Sequence, residues 1–431
     1  MVALAAFPAP DPGFTLSALG FVAAGVCCGT LSGLTPGLHA NNFALLMAAV
    51  APTVPGPPAL VGAAMLAAGV THTLLDVVPA LALGVPDAAM AAVALPGHRL
   101  VLEGRGREAL RLSALGSVLA VLFAVPLAVP MTELMIRAYG HIDANLPLAL
   151  GAVAAILILT ERGLRKKVGG LLAFVASALL GYALLRIFEA PLEAPLDAGG
   201  LLMPLFGGLF GAPVLLDAIG GGGIPPQGES DVRSSRRSVG VTAFLGTGAG
   251  AIVGYIPGVS SAIAATAVLP AIPDGDGSGG ESDGGSGGDG GDGAREFLIA
   301  TSAVNTANTI FALFALIALG SPRTGVLVAL EEAEVPLDLP VLLSAVVIAA
   351  GVGFVLVVSV GDRYLDVVGR TDYTLLSVAI LVLLIGLSYA FAGPFGIGAF
   401  AAATVVGLIP PRFGARRVHL MGVLIGPLIV G

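Results

Sequence analysis

GTLSGLTPGLHANNFALLMAAVAP, from Gly29 to Pro52, aligns without a gap with GAIVGYIPGVSSAIAATAVLPAIP, from Gly250 to Pro273. Both stretches contain Gly-x-x-x-Gly-x-x-Pro-Gly, so Pro36-Gly37 in the first corresponds to Pro257-Gly258 in the second. Proline removes the N–H of a helical hydrogen bond and glycine accepts strained dihedral angles. Each pair therefore predicts a break in a helix, and the chain carries an internal repeat centred on those breaks.

The composition places this repeat in a membrane. The 431 residues are 56% hydrophobic and only 11% charged, against a usual charged share of about 25%. Runs such as Val341–Val360 are long enough to cross a bilayer. We therefore expect an all-α polytopic membrane protein with about 10–12 transmembrane helices. Segments 36–52, 86–96 and 258–273 are too short to span, which predicts broken or re-entrant helices there.

The loop charges predict how the two halves lie in the membrane. Loop 96–111 after the first break is rich in arginine and should face the cytoplasm, whereas its counterpart 331–338 is acidic and should face outward. This predicts two inverted repeats, 14–219 and 239–431, in the cytoplasmic membrane, with the N- and C-termini both external. Inverted repeats with helix breaks at corresponding positions are an architecture of secondary transporters.

A low-complexity segment, 274–293, interrupts the second repeat. Its Gly- and Asp-rich sequence buries too little apolar surface to fold, which predicts a disordered inserted loop. The insertion explains why the offset between the repeats rises from 221 residues before it to 236 after it. Cation capture by its aspartates is the alternative role.

Polar residues cluster inside apolar runs after each break. With the larger offset, His72-Thr73 aligns with Asn308-Thr309. His72 and Asp76 are four residues apart and can share one helix face, where an ionisable pair serves either H⁺ or Na⁺ binding or simply locks the packing. Asn and Thr side chains can equally join neighbouring helices. Four such residues within five positions, Asn305 to Thr309, favour a site.

Small polar residues also follow each break directly. A helix that restarts after a break presents free N–H groups, while free carbonyls before it suit Na⁺, although a simple kink is the alternative. The predicted substrate- or ion-binding residues are Pro36, Gly37, His39, Asn41, Asn42, Thr71, His72, Thr73, Asp76, Pro257, Gly258, Ser260, Ser261, Asn305, Thr306, Asn308 and Thr309.

Other functional classes lack support in the sequence. The net charge of −8 argues against nucleic-acid binding. There is no nucleotide-binding or zinc-hydrolase motif, so we expect no enzyme activity, no catalytic residue, no metal site and no cofactor apart from a coupling Na⁺ or H⁺. The low lysine content and acidic, Gly-rich loops are typical of salt-loving archaea.

The segments GTLSGLTPGLHANNFALLMA and GTGAGAIVGYIPGVSSAIAA resemble the large permease subunit of the tripartite tricarboxylate transporters, in which Gly-x-x-x-Gly-x-x-Pro-Gly occurs in both halves. The segment AVNTANTIFALFALIALGSPR, Ala303–Arg323, looks closest to an archaeal branch. The resemblance implies a cation-coupled carboxylate importer that works with a small membrane subunit and an extracytoplasmic binding protein. After the first break, His39-Ala40-Asn41-Asn42 replaces the Gly-rich continuation of bacterial relatives.

The expected function is therefore a secondary transporter permease for a small organic solute. No Arg or Lys lies clearly inside a membrane-spanning run, so few positive charges would balance a bound anion. A mono- or dicarboxylate or a non-carboxylate solute is therefore easier to accommodate than a tricarboxylate. The alternatives are a channel or lipid-handling membrane protein, and a non-transporting membrane scaffold.

Overall fold

A computed structural model describes residues 11–36, 38, 40–84, 94–187, 193–196, 200–220, 223–228, 231–256, 261, 264–265 and 291–430, and in that part of the chain every regular element is helical. The predicted all-α class is confirmed. The α-helices are α1 (Pro12–Gly33), α2 (Ala40–Val50), α3 (Pro58–Leu75), α4 (Val77–Leu83), α5 (Ala94–Leu102), α6 (Gly106–Ala144), α7 (Leu146–Leu159), α8 (Leu164–Tyr182), α9 (Leu202–Phe206), α10 (Ala212–Ala218), α11 (Arg236–Tyr255), α12 (Gly291–Leu319), α13 (Gly325–Glu332), α14 (Leu339–Arg370), α15 (Tyr373–Gly407), α16 (Ile409–Phe413) and α17 (Gly422–Val430).

Eight helical stretches within the described residues are long and apolar enough to cross a bilayer, which confirms a multi-pass membrane protein. The number of crossings, the inverted arrangement and the external termini stay predictions. Three shorter apolar stretches accompany the eight: Leu146–Leu159, Leu202–Ala218 and Arg417–Val430. The candidate spans are Pro12–Gly33, Pro58–Leu83, Gly106–Ile142, Leu164–Ile187, Arg236–Tyr255, Gly293–Leu319, Leu339–Arg370 and Tyr373–Phe413.

The first predicted re-entrant segment forms a short helix. Helix α2 has 11 residues and is about 16 Å long, roughly half of the ~30 Å hydrocarbon core. It ends in a 3₁₀ turn at Ala51–Thr53. The other two predicted re-entrant segments, 86–96 and 258–273, fall mostly outside the described residues, so they stay predictions.

Glycine lets α1 approach α3 closely. A Cβ atom added to Gly29 would lie 2.3 Å from the Ala68 carbonyl oxygen and 2.8 Å from Thr71 Cβ, a separation that real atoms do not adopt. Only glycine permits this backbone contact, as is common where membrane helices pack through small residues. The Gly-x-x-x-Gly spacing of the first stretch is thus a helix-packing device.

Helices α11 and α12 pack in the same register. A Cβ atom on Gly250 would lie 2.8 Å from the Val304 carbonyl oxygen and 2.7 Å from Ala307 Cβ. Ala68 and Thr71, the contact partners of Gly29, correspond to Val304 and Ala307 with an offset of 236 residues. Gly29 itself corresponds to Gly250 with an offset of 221 residues. The two offsets are those read from the sequence on either side of the Gly/Asp-rich segment.

Two apolar clusters of buried side chains organise the helices. The larger includes side chains from α1, α3, α6, α11, α12 and α14, and the smaller includes side chains from α7, α8, α9, α15 and α17. Both predicted polar patches lie on helices that contribute to the larger cluster. The first patch consists of Thr71, His72, Thr73 and Asp76, and the second of Thr301, Ser302, Asn305, Thr306, Asn308 and Thr309.

Helix α15 contains a break of its own at Gly393–Pro394. Gly393 has φ +60°, in the left-handed region, and Pro394 cannot donate to the carbonyl of Ala390. Leu196 N donates to Ala390 O at 3.0 Å, and Gly200 N donates to Phe391 O at 2.9 Å. A connecting segment from the first half of the chain therefore satisfies carbonyls that the break releases in the second half.

A buried carboxylate ties the C-terminal helical segment to the loop between α7 and α8. Glu161 Oε1 accepts hydrogen bonds from Arg416 N and Nε, both at 2.9 Å, and contacts His419 Nε2 at 2.8 Å. Burial alone would raise the pKa of Glu161, but the hydrogen bonds from Arg416 and His419 outweigh it and place the pKa below the ordinary 4.5. The ionised form of Glu161 is therefore the one that the fold stabilises.

Replacing Glu161 with Gln should lower the free energy of unfolding at neutral pH by about 1–3 kcal/mol, because the acceptor of these hydrogen bonds loses its negative charge. Because the pKa of Glu161 is lower in the folded protein, its ionised form stabilises the fold at pH values above the pKa of the unfolded state. That contribution disappears as the pH falls through the pKa of the folded state. The deficit of E161Q in thermal unfolding should therefore shrink below about pH 4.5. E103Q, which removes the exposed pair Arg99–Glu103, is the matched control. An equal deficit in the two variants would contradict the assignment.

Candidate functional site

The first polar patch lies at an interruption between two helices. Helix α3 ends at Leu75 and α4 begins at Val77, with Asp76 between them. Pro79 has no N–H to donate to the Leu75 carbonyl, which accounts for the interruption. Asp76 is 5% exposed, and Thr71 and His72 are fully buried. A carboxyl group, an imidazole and a hydroxyl are thus buried within the candidate span Pro58–Leu83.

His72 is held by the two helices that flank the first predicted break. Its Nδ1 lies 2.9 Å from Ser32 Oγ on α1, and its ring stacks on Phe43 of α2 with centroids 5.4 Å apart. Pro36 lies half-buried between these helices, just beyond the end of α1. The segment around the break is therefore in direct contact with the first polar patch.

Asn305 joins the two polar patches. Its Nδ2 donates to the Thr73 carbonyl at 3.4 Å, and its Oδ1 accepts from Ser261 Oγ at 3.3 Å. Thr73 belongs to the first predicted repeat, whereas Asn305 and Ser261 belong to the second. Asn305 is 5% exposed and Ser261 3% exposed. The Asn305 amide therefore connects two other predicted site residues, one from each half of the chain.

The remaining residues of the second patch differ in their environments. Thr306 is buried, while Asn308 and Thr309 are half-buried. Among the described residues, Asn308 Oδ1 has no hydrogen-bond partner although the atom itself is buried. The neighbouring Ser302 contacts Ser113 of α6 at 2.8 Å, as expected for a residue that joins helices. An amide oxygen that the fold leaves unoccupied is available to a bound solute or cation.

The residues closest to the breaks are only partly described. Asn41 Oδ1 accepts from Gly325 N at 3.1 Å, which connects α2 to the start of α13. Asn42 lies in α2, and its side chain is outside the described residues. The predictions for Gly37, His39, Pro257, Gly258 and Ser260 also fall outside them.

Comparison with known proteins assigns the family. Residues 19–422 match the tripartite tricarboxylate transporter TctA family. The chain belongs to that family. It is also 33% identical over 200 residues to an uncharacterized protein of Methanocaldococcus jannaschii, an alignment that covers 45% of this chain and 46% of that protein. No solved structure matches. The family resemblance carried by the two Pro-Gly stretches is thus confirmed.

Three buried residues near the predicted breaks of this TctA-family chain are not singled out by the sequence pattern. Ser32 and Phe43 contact His72, and the buried hydroxyl of Tyr255 lies 2.5 Å from Thr132 Oγ1 on α6. Ser32, Phe43 and Tyr255 all lie within seven residues of a Pro-Gly pair in sequence. Their closeness in sequence to a Pro-Gly pair is the feature by which they could be found, but it does not specify which neighbouring helix each side chain contacts.

The polar cluster that the two patches form in this TctA-family chain carries little positive charge. The two arginines buried in the described part of the chain lie elsewhere, Arg295 against Glu108 and Arg417 against Asp217. In the same part of the chain, no group of three or more His, Cys, Asp or Glu residues has the geometry of a metal site. The cluster offers hydroxyls, amides, one imidazole and the Asp76 carboxyl.

Proposed function

We propose that this chain is the permease of a cation-coupled secondary transporter that moves a small organic solute, a carboxylate, across the cytoplasmic membrane. The observation that carries the proposal is Asn305, which connects the polar patches of the two predicted repeats within the apolar core. A buried polar cluster of this kind marks a substrate or ion path in membrane proteins. The family name implies a tripartite system, so we include a small membrane subunit and an extracytoplasmic binding protein as partners.

The proposed architecture is a pair of inverted repeats, 14–219 and 239–431. The recurrence of the Gly29 contacts at Gly250, with the offset expected from the sequence, supports the repeat. The basic loop 96–111 and the acidic loop 331–338 support its inversion. In such an architecture the solute site lies between the repeats near the bilayer midplane, and one bundle moves against the other to alternate access.

The charges of the cluster favour a coupled mechanism. A carboxylate solute placed beside Asp76 would bring two negative groups together in a poorly solvated region, at a high electrostatic cost. Binding of Na⁺ to oxygen ligands there, or protonation of Asp76, would remove this repulsion. Asp76 is therefore the proposed coupling residue, and a solute with one or two carboxylates requires the fewest compensating cations.

Replacing Asp76 with Asn should abolish accumulation of the solute against its gradient while preserving exchange down a gradient. The amide keeps the size of the side chain but cannot titrate or pair with Na⁺ as a carboxylate does. Uptake of radiolabelled mono- and dicarboxylates into proteoliposomes, with imposed Na⁺ or pH gradients, measures both quantities. D231N, which changes an exposed aspartate, is the matched control.

The same experiment tests the function as a whole. Accumulation of a carboxylate that collapses when the Na⁺ and pH gradients are removed supports a secondary transporter. Equilibration that ignores both gradients in the wild-type protein would contradict coupling and support the channel alternative. An absence of solute movement, with the partner subunits included, would favour a non-transporting scaffold.

A lipid-handling function is the second candidate because α1, α2 and α3 line an apolar cavity. Its volume is about 610 Å³, and its lining includes Phe21, Phe43, Met47 and Met65. Phe43 also stacks on His72, so the cavity borders the polar cluster. Movement of a fluorescent lipid between leaflets of the same proteoliposomes, without carboxylate uptake, would select this candidate.

A further inference from the structure

A basic cavity that shares no lining residue with the polar cluster lies between the start of α8 and helix α16. Its volume is about 470 Å³, and four cationic side chains line it: Arg162, Arg165, Lys166 and Arg412. Within the described part of the chain none of the four has a carboxylate partner. The nearby Glu161 instead accepts from Arg416, and Arg165 donates only to the Arg412 carbonyl at 2.9 Å. The cavity thus concentrates uncompensated positive charge.

The N-terminus of α8, which lines this cavity, lacks the residues that usually stabilise the start of a helix. The N-cap residue of α8 is Gly163, which supplies no side-chain hydrogen bond, and the first turn contains no acidic residue. Arg165, Lys166 and Lys167 instead place positive charge at the positive end of the helix dipole. By contrast, α11 also starts with two arginines, but Ser235 caps it. An anion in the cavity would satisfy both the free N–H groups and the cations of α8.

Exposed apolar side chains on α8 indicate the source of that anion. Leu164, Leu171, Val175 and Leu179 are 78%, 50%, 45% and 66% exposed. They lie in the candidate span Leu164–Ile187, so in a bilayer they are available for contact with lipid chains. A molecule with a phosphate in the cavity and acyl or isoprenoid chains along α8 matches both surfaces, whereas a free anion matches only the cavity.

We propose that the cavity between α8 and α16 binds the phosphate head group of an anionic membrane lipid. Arg165, Lys166 and Arg412 supply the charge-assisted hydrogen bonds, and the free N–H groups at the start of α8 complete the site. Clusters of basic residues at the end of a membrane helix attract anionic lipids in this way. The site is separate from the proposed transport site and does not depend on it.

The test compares lipids on the purified full-length protein. Native mass spectrometry and thermal unfolding in detergent would be recorded with phosphatidylglycerol, with phosphatidylcholine of the same chains, and with inorganic phosphate. Phosphatidylglycerol should bind and stabilise the wild-type protein more than the other two. The triple variant R165Q/K166Q/R412Q should lose about fivefold in affinity for each cation removed. The matched control, R233Q/R236Q/R237Q, removes three arginines beside the capped helix α11 and should bind like the wild type.

Three results would overturn the proposal. They are equal binding of both lipids, equal loss in the control triple variant, and full stabilisation by inorganic phosphate alone, which would identify a free-anion site. If the triple variant does not fold, K166Q replaces it. Lys166 is exposed and lies beside Gly414, so this change disturbs little packing. Unchanged phosphatidylglycerol binding by K166Q would then contradict the proposal.

Discussion

Replacing Asn305 with Ala is expected to reduce solute uptake by roughly 5- to 150-fold while the protein remains folded in the membrane. The variant loses the contacts to the Thr73 carbonyl and to Ser261 Oγ. Leaving a buried polar group unpaired costs about 1–3 kcal/mol, and each ~1.4 kcal/mol corresponds to a factor of ten. Because Asn305 joins the two predicted repeats, losing its hydrogen bonds changes the relative positions of the residues that form the proposed site.

Replacing Asn308 with Ala should also reduce uptake, but for a different reason. Its buried Oδ1 has no hydrogen-bond partner among the described residues, so its removal breaks no known internal contact. N308A should therefore weaken solute binding, measured as a raised half-saturation concentration for uptake, without lowering the melting temperature. N145A is the matched control for both variants, since Asn145 is exposed and its side chain donates to the carbonyl of His141, one turn earlier in the chain. Unchanged uptake in N305A and N308A would remove these residues from the site.

Replacing Gly29 or Gly250 with Ala should destabilise the protein by about 1–3 kcal/mol each. The added methyl group would lie 2.3 Å from the Ala68 carbonyl oxygen in G29A. In G250A it would lie 2.7 Å from Ala307 Cβ. Neither helix can accept these distances without moving apart from its partner. We expect a lower melting temperature and a smaller folded fraction in membranes.

Controls for this prediction occur on the same two helices. Gly20 on α1 and Gly248 on α11 have no atom within 4 Å of an added Cβ. G20A and G248A should be neutral or slightly stabilising, because Ala is the better helix former. If all four variants melt alike, helix propensity rather than close packing would govern these positions. If G29A and G250A alone are impaired, the glycine spacing has the same role in both halves.

The class of the protein could be predicted because it follows from local properties. Long apolar runs such as Val341–Val360 can only be buried in a bilayer, and there a helix satisfies its own backbone groups. The same holds for the Gly-x-x-x-Gly-x-x-Pro-Gly stretches, whose residue types permit close packing and breaks. The family resemblance that they carry is confirmed by the match over residues 19–422.

The composition of the site could be predicted only in part. Spacing along a helix placed Thr73 and Asn305 in corresponding patches, but the hydrogen bond between them depends on how α3 and α12 cross. Ser32 and Phe43 reach His72 through contacts between different helices, which a single sequence does not specify. The helix breaks at the two Pro-Gly pairs stay predictions, because Gly37 and Pro257-Gly258 fall outside the described residues.

The break at Gly393–Pro394 has a consequence for how the chain is made. Ala390 and Phe391 obtain hydrogen bonds from Leu196 and Gly200, which leave the ribosome roughly 190 residues earlier. Phe391 is fully buried, and a buried carbonyl without a hydrogen-bond partner is costly, so the packing of α15 is incomplete until that earlier segment is in place. The first half of the chain thus serves as an assembly template for the second, and co-translational insertion in the natural order delivers the template first.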